Sequence, residues 1–401
     1  MRDLLIVGAG PAGLSAAIEA AEQGLNVHVI DEFPRVGGRL LGQLHQEPNG
    51  EWWNGISESD KLYSRALTAG VDIQCETSVY DIEKREAGWH VHTSNGILKS
   101  KALLLATGAS ETPIPITGWT LPGVISIGAA QVMGNVYRVK PGQSCVIIGA
   151  NVLSMAIANE LRLCGVDVKE IIIPKSSLIS KEAGHPISVL KSLMKLTHLA
   201  PNAMLRQLGK VGRFFPPALA AKCYPAVGIK MFGIPIKVKT AALEILGDKQ
   251  VTGVRTTKVT ASGTPIPGTE KTVEADVVCI SGGLMPMAEL ASIVGCSFQY
   301  VTELGGHIPV HSEQMQTNIP HLYVAGNITG IESAKVAMAQ GKVAGLTIAA
   351  EINNRSGKLD DLIDQAIHSV RKTRAEALIQ FQPNIPKTRE ELYKYYERNQ
   401  A

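Results

Sequence analysis

A glycine-rich turn near the start of the chain restricts the fold more than any other feature of the sequence. The hexapeptide Gly8-Ala9-Gly10-Pro11-Ala12-Gly13 follows the apolar run from Leu4 to Val7 and precedes a segment with helical apolar spacing. Strand, glycine turn and helix in this order are typical of a dinucleotide-binding βαβ unit. Gly8 permits the tight turn, Gly10 lets a pyrophosphate approach the backbone, and Gly13 lets the helix pack on the strand.

An acidic residue stands where such a unit needs one. Asp31 ends the second predicted strand, about 20 residues after Gly8, which is the spacing of the dinucleotide fingerprint. Its carboxylate can accept hydrogen bonds from ribose hydroxyls, and the neighbouring Glu32 is a second candidate. The free amide groups at the start of the helix favour phosphate, because the helix dipole is positive there. The sequence therefore predicts nucleotide binding, and the alternative is a glycine-rich turn without a ligand.

Three later segments favour FAD over NAD. Gly37-Gly38-Arg39 follows the acidic residues, Ala106-Thr107-Gly108 ends a buried predicted strand, and Tyr323-Val324-Ala325-Gly326-Asn327 precedes a predicted helix. This set resembles the glutathione-reductase-like two-dinucleotide flavoprotein superfamily. The resemblance implies that the last turn meets the ribityl and pyrophosphate groups. It also implies that the helix starting near Ser333 points at the pyrimidine edge of the flavin.

One residue of the late turn departs from the superfamily, which has aspartate where this chain has Asn327. An asparagine can still hydrogen-bond a ribityl hydroxyl, but it brings no charge. The expected FAD contacts are Gly8, Gly10, Pro11, Ala12, Gly13, Asp31, Glu32, Gly38, Arg39, Val79, Ala106, Thr107, Gly108, Gly326, Asn327 and Ser333.

A closer resemblance covers about residues 1–350. Three segments carry it: the stretch from Ala106 to Val124 with Trp119, the pair Gly305-Gly306, and the segment from Gly326 to Gly345. They resemble the FAD-binding subunit of multi-subunit amino-acid dehydrogenases and oxidases. That family includes hydrogen cyanide synthase B, opine oxidase A and the α subunits of dye-linked proline and hydroxyproline dehydrogenases. The resemblance implies electron transfer by this chain and a separate flavoprotein subunit that oxidises the amino acid.

The resemblance also bears on further components of such a complex. Some relatives carry a cysteine cluster for a [2Fe–2S] centre near the C-terminus, whereas no cysteine follows Cys296 in this chain. A small iron–sulfur subunit would then supply any such cluster. A second flavin or nucleotide at a subunit interface stays open, as do the amino acid, the stoichiometry and the final electron acceptor.

A second strand–turn–helix repeats the first with an altered fingerprint. Gly149 keeps the turn, but Asn151 and Ser154 replace the second and third glycines, and the next strand ends in Pro174-Lys175 without an acid. The pattern predicts a nucleotide fold that has lost ordinary NAD(P) binding. The alternative is a nucleotide site that uses Asn151 and Lys175 as phosphate partners.

Two rival functions remain: a stand-alone NAD(P)H-dependent flavin oxidoreductase, and a non-enzymatic assembly scaffold.

Cysteine usage limits the chemistry. The six cysteines include no C-x-x-C pair, which argues against a disulfide framework, a zinc or iron–sulfur site and disulfide reductase activity. We expect a reducing, cytoplasmic location. No nucleophile–base pair or metal-ligand spacing stands out, so no catalytic residue and no metal is predicted. A flavin itself carries electrons and needs no such group in this chain.

Length and composition set the domain organisation. With 401 residues, two or three domains are expected, and the net charge of +3 is too small to indicate nucleic-acid binding. No uncharged apolar run reaches the roughly 18 residues of a membrane span. The predicted fold is α/β, with two Rossmann-like dinucleotide-binding domains of three-layer ββα type. The predicted parts are 1–110 with 285–352 for FAD, 111–284 with a helical insertion at about 176–230, and a helical tail at 353–401.

Helices and strands are predicted outside the glycine turns as well. A helix is predicted at Ser59 to Thr68, a meander of short strands at 77–101, and a separate strand at Ala102 to Ala106. In the tail, helices are predicted at 359–380 and 388–398, separated by Pro383 and Pro386.

Overall fold

The fold is described from a computed structural model, which defines residues 1–47, 50–195, 216–354, 357–377 and 384–400. The chain forms two compact units. The first comprises Met1–Gln43, Asn54–Ser110 and Leu284–Ala401, and the second comprises Leu44–Trp53 and Glu111–Gly283. The α/β class and the helical C-terminal segments are confirmed.

The described residues form 21 strands. In order they are β1 Arg2–Val7, β2 Val27–Ile30, β3 Leu44–Gln46, β4 Trp52–Asn54, β5 Asp72–Gln74, β6 Val79–Arg85, β7 Gly88–Thr93, β8 Gly96–Leu105, β9 Ala109–Glu111, β10 Val124–Ser126, β11 Ser144–Ile148, β12 Asp167–Pro174, β13 Ile229–Met231, β14 Ile234–Gly247, β15 Val251–Lys258, β16 Lys271–Glu274, β17 Val277–Ile280, β18 Leu284–Pro286, β19 Phe298–Val301, β20 Gly306–Pro309 and β21 Leu322–Val324.

The described residues form ten α-helices. In order they are α1 Pro11–Glu22, α2 Gly55–Thr68, α3 Ile127–Asn135, α4 Val152–Leu163, α5 Pro186–Lys195, α6 Pro217–Cys223, α7 Glu289–Ile293, α8 Ala334–Ile352, α9 Gly357–Ala375 and α10 Ile385–Gln400.

The sheet of the first unit has the strand order β5-β2-β1-β8-β7-β6, and β21 also pairs with β8. Strand β1 is parallel to β2 and β8, with Leu4 opposite Val27 and Ala102, and β8 is parallel to β21. The apolar residues of these central strands are buried, as expected for a parallel sheet covered on its faces. The carboxyl ends of β1, β8 and β21 therefore lie at one edge, which is where ligands bind in open α/β sheets.

The sequence suggested that the meander and the buried strand are separate, but the structure joins them. A single strand, β8, runs through both, because its first half pairs antiparallel with β7 and its second half parallel with β1. Ser100 lies where the two pairings overlap, opposite Trp89 on one side and Arg2 on the other. The turn at Asn95-Gly96 is present, with Gly96 at φ +109°.

Helices α1 and α8 pack with their backbones in close approach. A Cβ at Gly341 would lie 2.1 Å from the carbonyl oxygen of Ala12, and one at Gly345 would lie 2.4 Å from that of Ala16. Only glycine fits at these two positions. This packing places Gly341, in the second turn of α8, against the start of α1.

The second unit repeats the architecture of the first. Its main sheet has the order β10-β17-β11-β12-β14-β15-β16, with β13 pairing to β14, and its central strand β11 is parallel to both β12 and β17. The glycine turn at Gly149 and helix α4 follow β11, as Gly8 and α1 follow β1. Of the predicted insertion, α5 and α6 are described, whereas 196–215 lies outside the described residues.

Two helix boundaries differ from the prediction. Helix α2 begins at Gly55, four residues early, because the side chain of Asn54 caps it by accepting from the amides of Ile56 and Ser57. Pro386 is the second residue of α10 and does not separate helices, since proline is tolerated in a first helical turn. Pro383 lies outside the described residues.

Among the described residues, no helix combines the length and apolar character that crossing a membrane requires.

Candidate functional site

The glycine turn after β1 has two glycines that the chain itself requires and one that it does not. A Cβ at Gly8, whose φ is +109°, would lie 2.4 Å from the carbonyl oxygen of Ala106, and one at Gly13 would lie 1.9 Å from that of Gly8. A Cβ at Gly10 would meet nothing within 4 Å. The space beside Gly10 is therefore open, and protein packing does not explain the glycine there.

Helix α1 begins without a side-chain cap. Its N-cap residue, Gly10, has no side chain to accept from the first turn, and Pro11 at the next position has no N–H. The amides of Ala12 and Gly13 start the helix in the positive field of its dipole. Free amides at the start of a helix are the donors from which phosphate groups accept hydrogen bonds in nucleotide-binding proteins.

The Asp31 carboxylate is tied to the same turn. Its Oδ2 accepts a 2.6 Å hydrogen bond from the amide of Ala9, and its Oδ1 accepts one of 2.9 Å from the amide of Phe33. Burial raises the pKa of Asp31, and the two amide hydrogen bonds oppose that rise. Two carboxylate oxygens offer about four acceptor sites, so acceptor capacity remains for a ribose hydroxyl. Glu32, the neighbouring candidate, is exposed.

The Gly37-Gly38 segment packs on the turn. The amide of Gly37 donates to the carbonyl oxygen of Ala9 at 2.8 Å, and a Cβ at Gly38 would lie 3.5 Å from the Cα of Gly10. Arg39 is exposed and its Nε donates to the carbonyl oxygen of Ala109 at 2.7 Å. The structure thus brings Gly38 to the site wall and holds Arg39 by the backbone after β8.

The end of β8 forms a second side of the turn. The amide of Ala106 donates to the carbonyl oxygen of Val7 at 2.9 Å. The hydroxyl of Thr107 donates to the carbonyl oxygen of Met287 at 2.5 Å. The amide of Met287 in turn donates to the carbonyl oxygen of Gly108 at 3.1 Å. The predicted residues here shape the backbone, and the hydroxyl proton of Thr107 is used in a hydrogen bond within the chain.

The late turn, residues 326–333, lies directly against the start of α1. Gly326 has φ +79°, and a Cβ on it would lie 2.8 Å from the Cβ of Ala12. The Asn327 side-chain oxygen accepts from the amide of Glu332 at 3.2 Å, and the Ser333 hydroxyl accepts from the amide of Val336 at 3.4 Å, capping α8. These two side chains therefore stabilise the late turn.

Sequence reasoning missed Gln340, a buried residue of α8. Its Oε1 accepts from the amide of Gly326 at 3.0 Å and so anchors the late turn. A polar residue at helical spacing from Val336 and Val343, on the apolar face of the helix, was the available signal. Val79, in contrast, begins β6 opposite Thr93 and packs its side chain on the apolar cluster around Val7 and Ile30.

The second glycine turn differs from the first at the helix start. The Asn151 side-chain oxygen accepts from the amide of Ser154 at 3.0 Å, while the Ser154 hydroxyl accepts from the amide of Asn151 at 2.9 Å. The Asn151 amide nitrogen also donates to the carbonyl oxygen of Ser281 at 3.0 Å. This capping box occupies donors that a pyrophosphate would need at the start of α4.

The cysteines do not form a disulfide centre. All six are free thiols, and the pair that comes close, Cys145 and Cys279, has its sulfurs 3.4 Å apart on neighbouring strands of the second unit, both fully buried. The neighbouring Cys145 thiol and burial raise the pKa of Cys279 well above its ordinary value. A protonated, inaccessible thiol is a poor nucleophile, so this pair is unsuited to disulfide exchange.

A buried charged cluster lies behind the late turn. Glu332 pairs with Arg374 at 2.6 Å and with Arg389 at 2.7 Å, and the three side chains are 5%, 8% and 1% exposed. Burial acts to raise the pKa of Glu332, but the two guanidinium groups hold it below its usual value. Burial and the nearby Arg389 lower the pKa of His311 to about 3, so this histidine is neutral. The sequence pattern gave no sign of this cluster, since both arginines belong to a generally charged tail.

Known proteins resemble the chain along most of its length. Opine oxidase A of Agrobacterium tumefaciens is 28% identical over 367 residues, which is 87% of this chain and 66% of the relative. Hydrogen cyanide synthase subunit HcnB of Pseudomonas aeruginosa is 25% identical over 358 residues, or 86% of this chain and 70% of the relative. The chain thus spans about two thirds of the length of these relatives.

Solved structures show the same fold, and a family assignment follows. L-proline dehydrogenase from P. horikoshii matches with a TM-score of 0.64 at 17% identity over 92% of this chain and 58% of that chain. Thioredoxin reductase of T. acidophilum matches with a TM-score of 0.62 at 23% identity over 87% and 98%. The family described as pyridine nucleotide-disulphide oxidoreductase matches residues 2–341, so this chain belongs to that family of FAD-dependent oxidoreductases.

Proposed function

We propose that this chain is the FAD-containing electron-transfer subunit of a multi-subunit amino-acid dehydrogenase. The donor would be a proline-like, hydroxyproline-like or opine-like amino acid that a partner subunit oxidises. The observation that carries the proposal is the contrast between the two helix starts. Helix α1 begins at an uncapped Gly10 beside open space, whereas α4 begins at Asn151, whose side chain caps it.

The first unit offers the donors and acceptors that FAD needs. The amides after Gly10 would hold the pyrophosphate, Asp31 would accept from the adenosine ribose, and the late turn would meet the ribityl chain. Bound FAD supplies two-electron redox chemistry. The chain's own residues bind and orient it, and the start of α8 lends positive potential to that end of the site.

The second unit argues against an internal nicotinamide donor. Its capping box closes the phosphate position, and β12 ends in Pro174 and exposed Lys175 without a carboxylate for a ribose. Electrons would then arrive from another protein. The opine oxidase and hydrogen cyanide synthase relatives are both named as subunits of those enzymes, which supports a partner that oxidises the substrate.

A second candidate is a stand-alone NAD(P)H-dependent flavin oxidoreductase. The thioredoxin-reductase-like fold favours it, because enzymes with two nucleotide folds can hold a nicotinamide in the second. It requires a phosphate site at the start of α4 with Asn151 and Lys175 as partners, where the Asn151 side chain instead caps the helix.

Stopped-flow mixing of the purified FAD-loaded chain with NADH or NADPH distinguishes the two candidates. We expect flavin absorbance to stay unbleached at micromolar nicotinamide, and fast stoichiometric bleaching would defeat the proposal. The matched variant Asn151→Gly/Ser154→Gly opens the helix start without touching the first unit. Weak nicotinamide binding in the variant alone would support the cap as the obstacle.

Isolation of the complex from its host tests the partner. The tagged chain should co-purify with a second flavoprotein, and the complex should reduce a dye with one of the three amino-acid classes. A second flavin or nucleotide is a further component that we propose to look for in it, as is a small iron–sulfur subunit. A complex reconstituted with Asp31→Ala should lack dye reduction while keeping its partner. A tagged chain that purifies alone, from a host grown on these amino acids, would contradict the proposal.

A further inference from the structure

Two arginines of the C-terminal tail converge on the carboxylate next to the late turn. Arg389 of α10 donates its Nη2 to Glu332 at 2.7 Å, and Arg374 of α9 donates its Nε and Nη2 to the same carboxylate at 2.6 and 3.1 Å. All three side chains are buried. Buried charges persist only when they are paired and hydrogen-bonded, so removal of one partner is costly.

Arg389 also holds the turn by its backbone. Its Nη1 donates to the carbonyl oxygen of Thr329 at 2.5 Å. Gly330, at φ +130°, makes room for the guanidinium, because a Cβ there would lie 2.9 Å from the Arg389 Nη2. The Thr329 hydroxyl in turn donates to the carbonyl oxygen of Gly326 at 2.8 Å. A continuous set of contacts thus links the tail to the glycine that touches the start of α1.

Apolar contacts hold Arg389 at this place. Ile385 and Leu392, which flank it on α10, are buried in a cluster with Leu304, Ile308 and Val310 of the β19–β20 region. The guanidinium therefore enters the turn from a helix that is packed on the β19–β20 region of the same unit. His311 lies 3.4 Å from the Arg389 Nη1 and is neutral, so it adds no competing charge.

We propose that Arg389 is a positioning residue of the FAD site. It holds the late turn against the start of α1 and thereby slows the release of FAD. The inference rests on the proposed function, since it requires FAD in the first unit. It assigns the tail helices a role in retaining the cofactor, which the glycine motifs alone do not suggest.

The test measures FAD release from the full-length holoprotein, followed by the rise in flavin fluorescence after dilution. Arg389→Met should release FAD about tenfold faster, the loss expected for a charge-assisted hydrogen bond. The control is Arg371→Met, because Arg371 lies on α9 of the same tail and makes a bidentate pair with Glu313, but is 62% exposed. Its release rate should stay within about twofold of wild type.

A second control separates local positioning from general destabilisation. Ile147→Val removes a buried methylene from the second unit and so destabilises the fold away from the late turn. It should release FAD at the wild-type rate. Release from Ile147→Val as fast as from Arg389→Met would overturn the inference. If Arg389→Met does not fold, Arg389→Lys replaces it in the test. Lysine keeps the charge but lacks the two guanidinium nitrogens that donate to Thr329 and Glu332, so this variant should release FAD at an intermediate rate.

The outcomes separate this inference from the proposed function. Wild-type release rates in folded Arg389→Met, or in Arg389→Lys when only that variant folds, would overturn the positioning role and leave the FAD site intact. A wild-type chain that binds no FAD would overturn both.

Discussion

The carboxylate of Asp31 accepts a 2.6 Å hydrogen bond from the backbone amide of Ala9. The end of β2 therefore holds the middle of the glycine turn after β1. Without this bond, the Ala9 amide would be buried and unpaired, which costs about 1–3 kcal/mol. Asp31 thus organises the loop in addition to its expected role toward a ribose, and one carboxylate couples loop geometry to nucleotide binding.

Replacement of Asp31 should therefore weaken FAD binding. We expect Asp31→Ala to lower the affinity of the apoprotein for FAD at least about tenfold, measured by fluorescence titration, because a buried acceptor is lost. Glu32→Ala tests the second predicted ribose contact: Glu32 is adjacent but exposed, so this variant should lose less affinity than Asp31→Ala. A larger loss in Glu32→Ala than in Asp31→Ala would assign the ribose contact to Glu32.

The two glycines of the turn should separate folding from binding. Gly10→Ala should leave the thermal unfolding of the apoprotein nearly unchanged, within about 1 kcal/mol, and should weaken FAD binding, because only ligand space is filled. Gly13→Ala should destabilise the fold itself, since its Cβ would lie 1.9 Å from the Gly8 carbonyl oxygen. Wild-type FAD affinity in Gly10→Ala would show that no pyrophosphate lies there.

Loss of the Asn151 cap should affect stability but not FAD content. Asn151→Ala removes the acceptor for the Ser154 amide and should cost about 1 kcal/mol in urea unfolding. Asn159→Ala, on the same helix and outside the cap, should change stability by less than about 0.5 kcal/mol. FAD content, read from absorbance, should equal wild type in both variants. A loss of FAD in Asn151→Ala would place the cap in flavin binding.

His311 should make the protein less stable in acid. Its pKa is about 3 in the folded state, so the unfolded chain binds a proton below about pH 6.5 that the folded state excludes. The free energy of unfolding should fall as pH drops from 6.5 toward 3, by up to about 1.4 kcal/mol per pH unit. In His311→Gln this part of the pH dependence should disappear, whereas the exposed His368→Gln should keep it. Parallel curves for wild type and His311→Gln would contradict the prediction.

Glu160 should act in the opposite direction. Burial raises its pKa to about 7 despite hydrogen bonds from Gln131 and Asn135, so the folded state keeps a proton that the unfolded chain releases above about pH 4.5. This group lowers stability as pH rises from 4.5 to 7. Glu160→Gln should lose that decrease in urea unfolding at several pH values, and the exposed Glu391→Gln should retain it. A decrease of wild-type size in Glu160→Gln would refute the assignment.

Local sequence determined the elements and the family of the chain. Gly13 is required by the carbonyl oxygen of Gly8, a few residues earlier, and the apolar runs around the turn follow strand and helix periods. These signals are short-range, and a reader of the sequence can recognise them. The same is true of the altered glycines at Asn151 and Ser154, which predicted a changed second nucleotide fold.

The tertiary structure alone decided how the side chains are used. Asn151 contacts Ser281, 130 residues later, and Arg389 contacts Thr329 and Glu332 from the tail, at distances along the chain that no local pattern encodes. Likewise, residues 44–53 belong with the second unit although the first surrounds them in sequence. Hydrogen bonds and buried ion pairs are specific only after packing has excluded water and set their geometry, so their partners emerge from the fold and not from the order of residues.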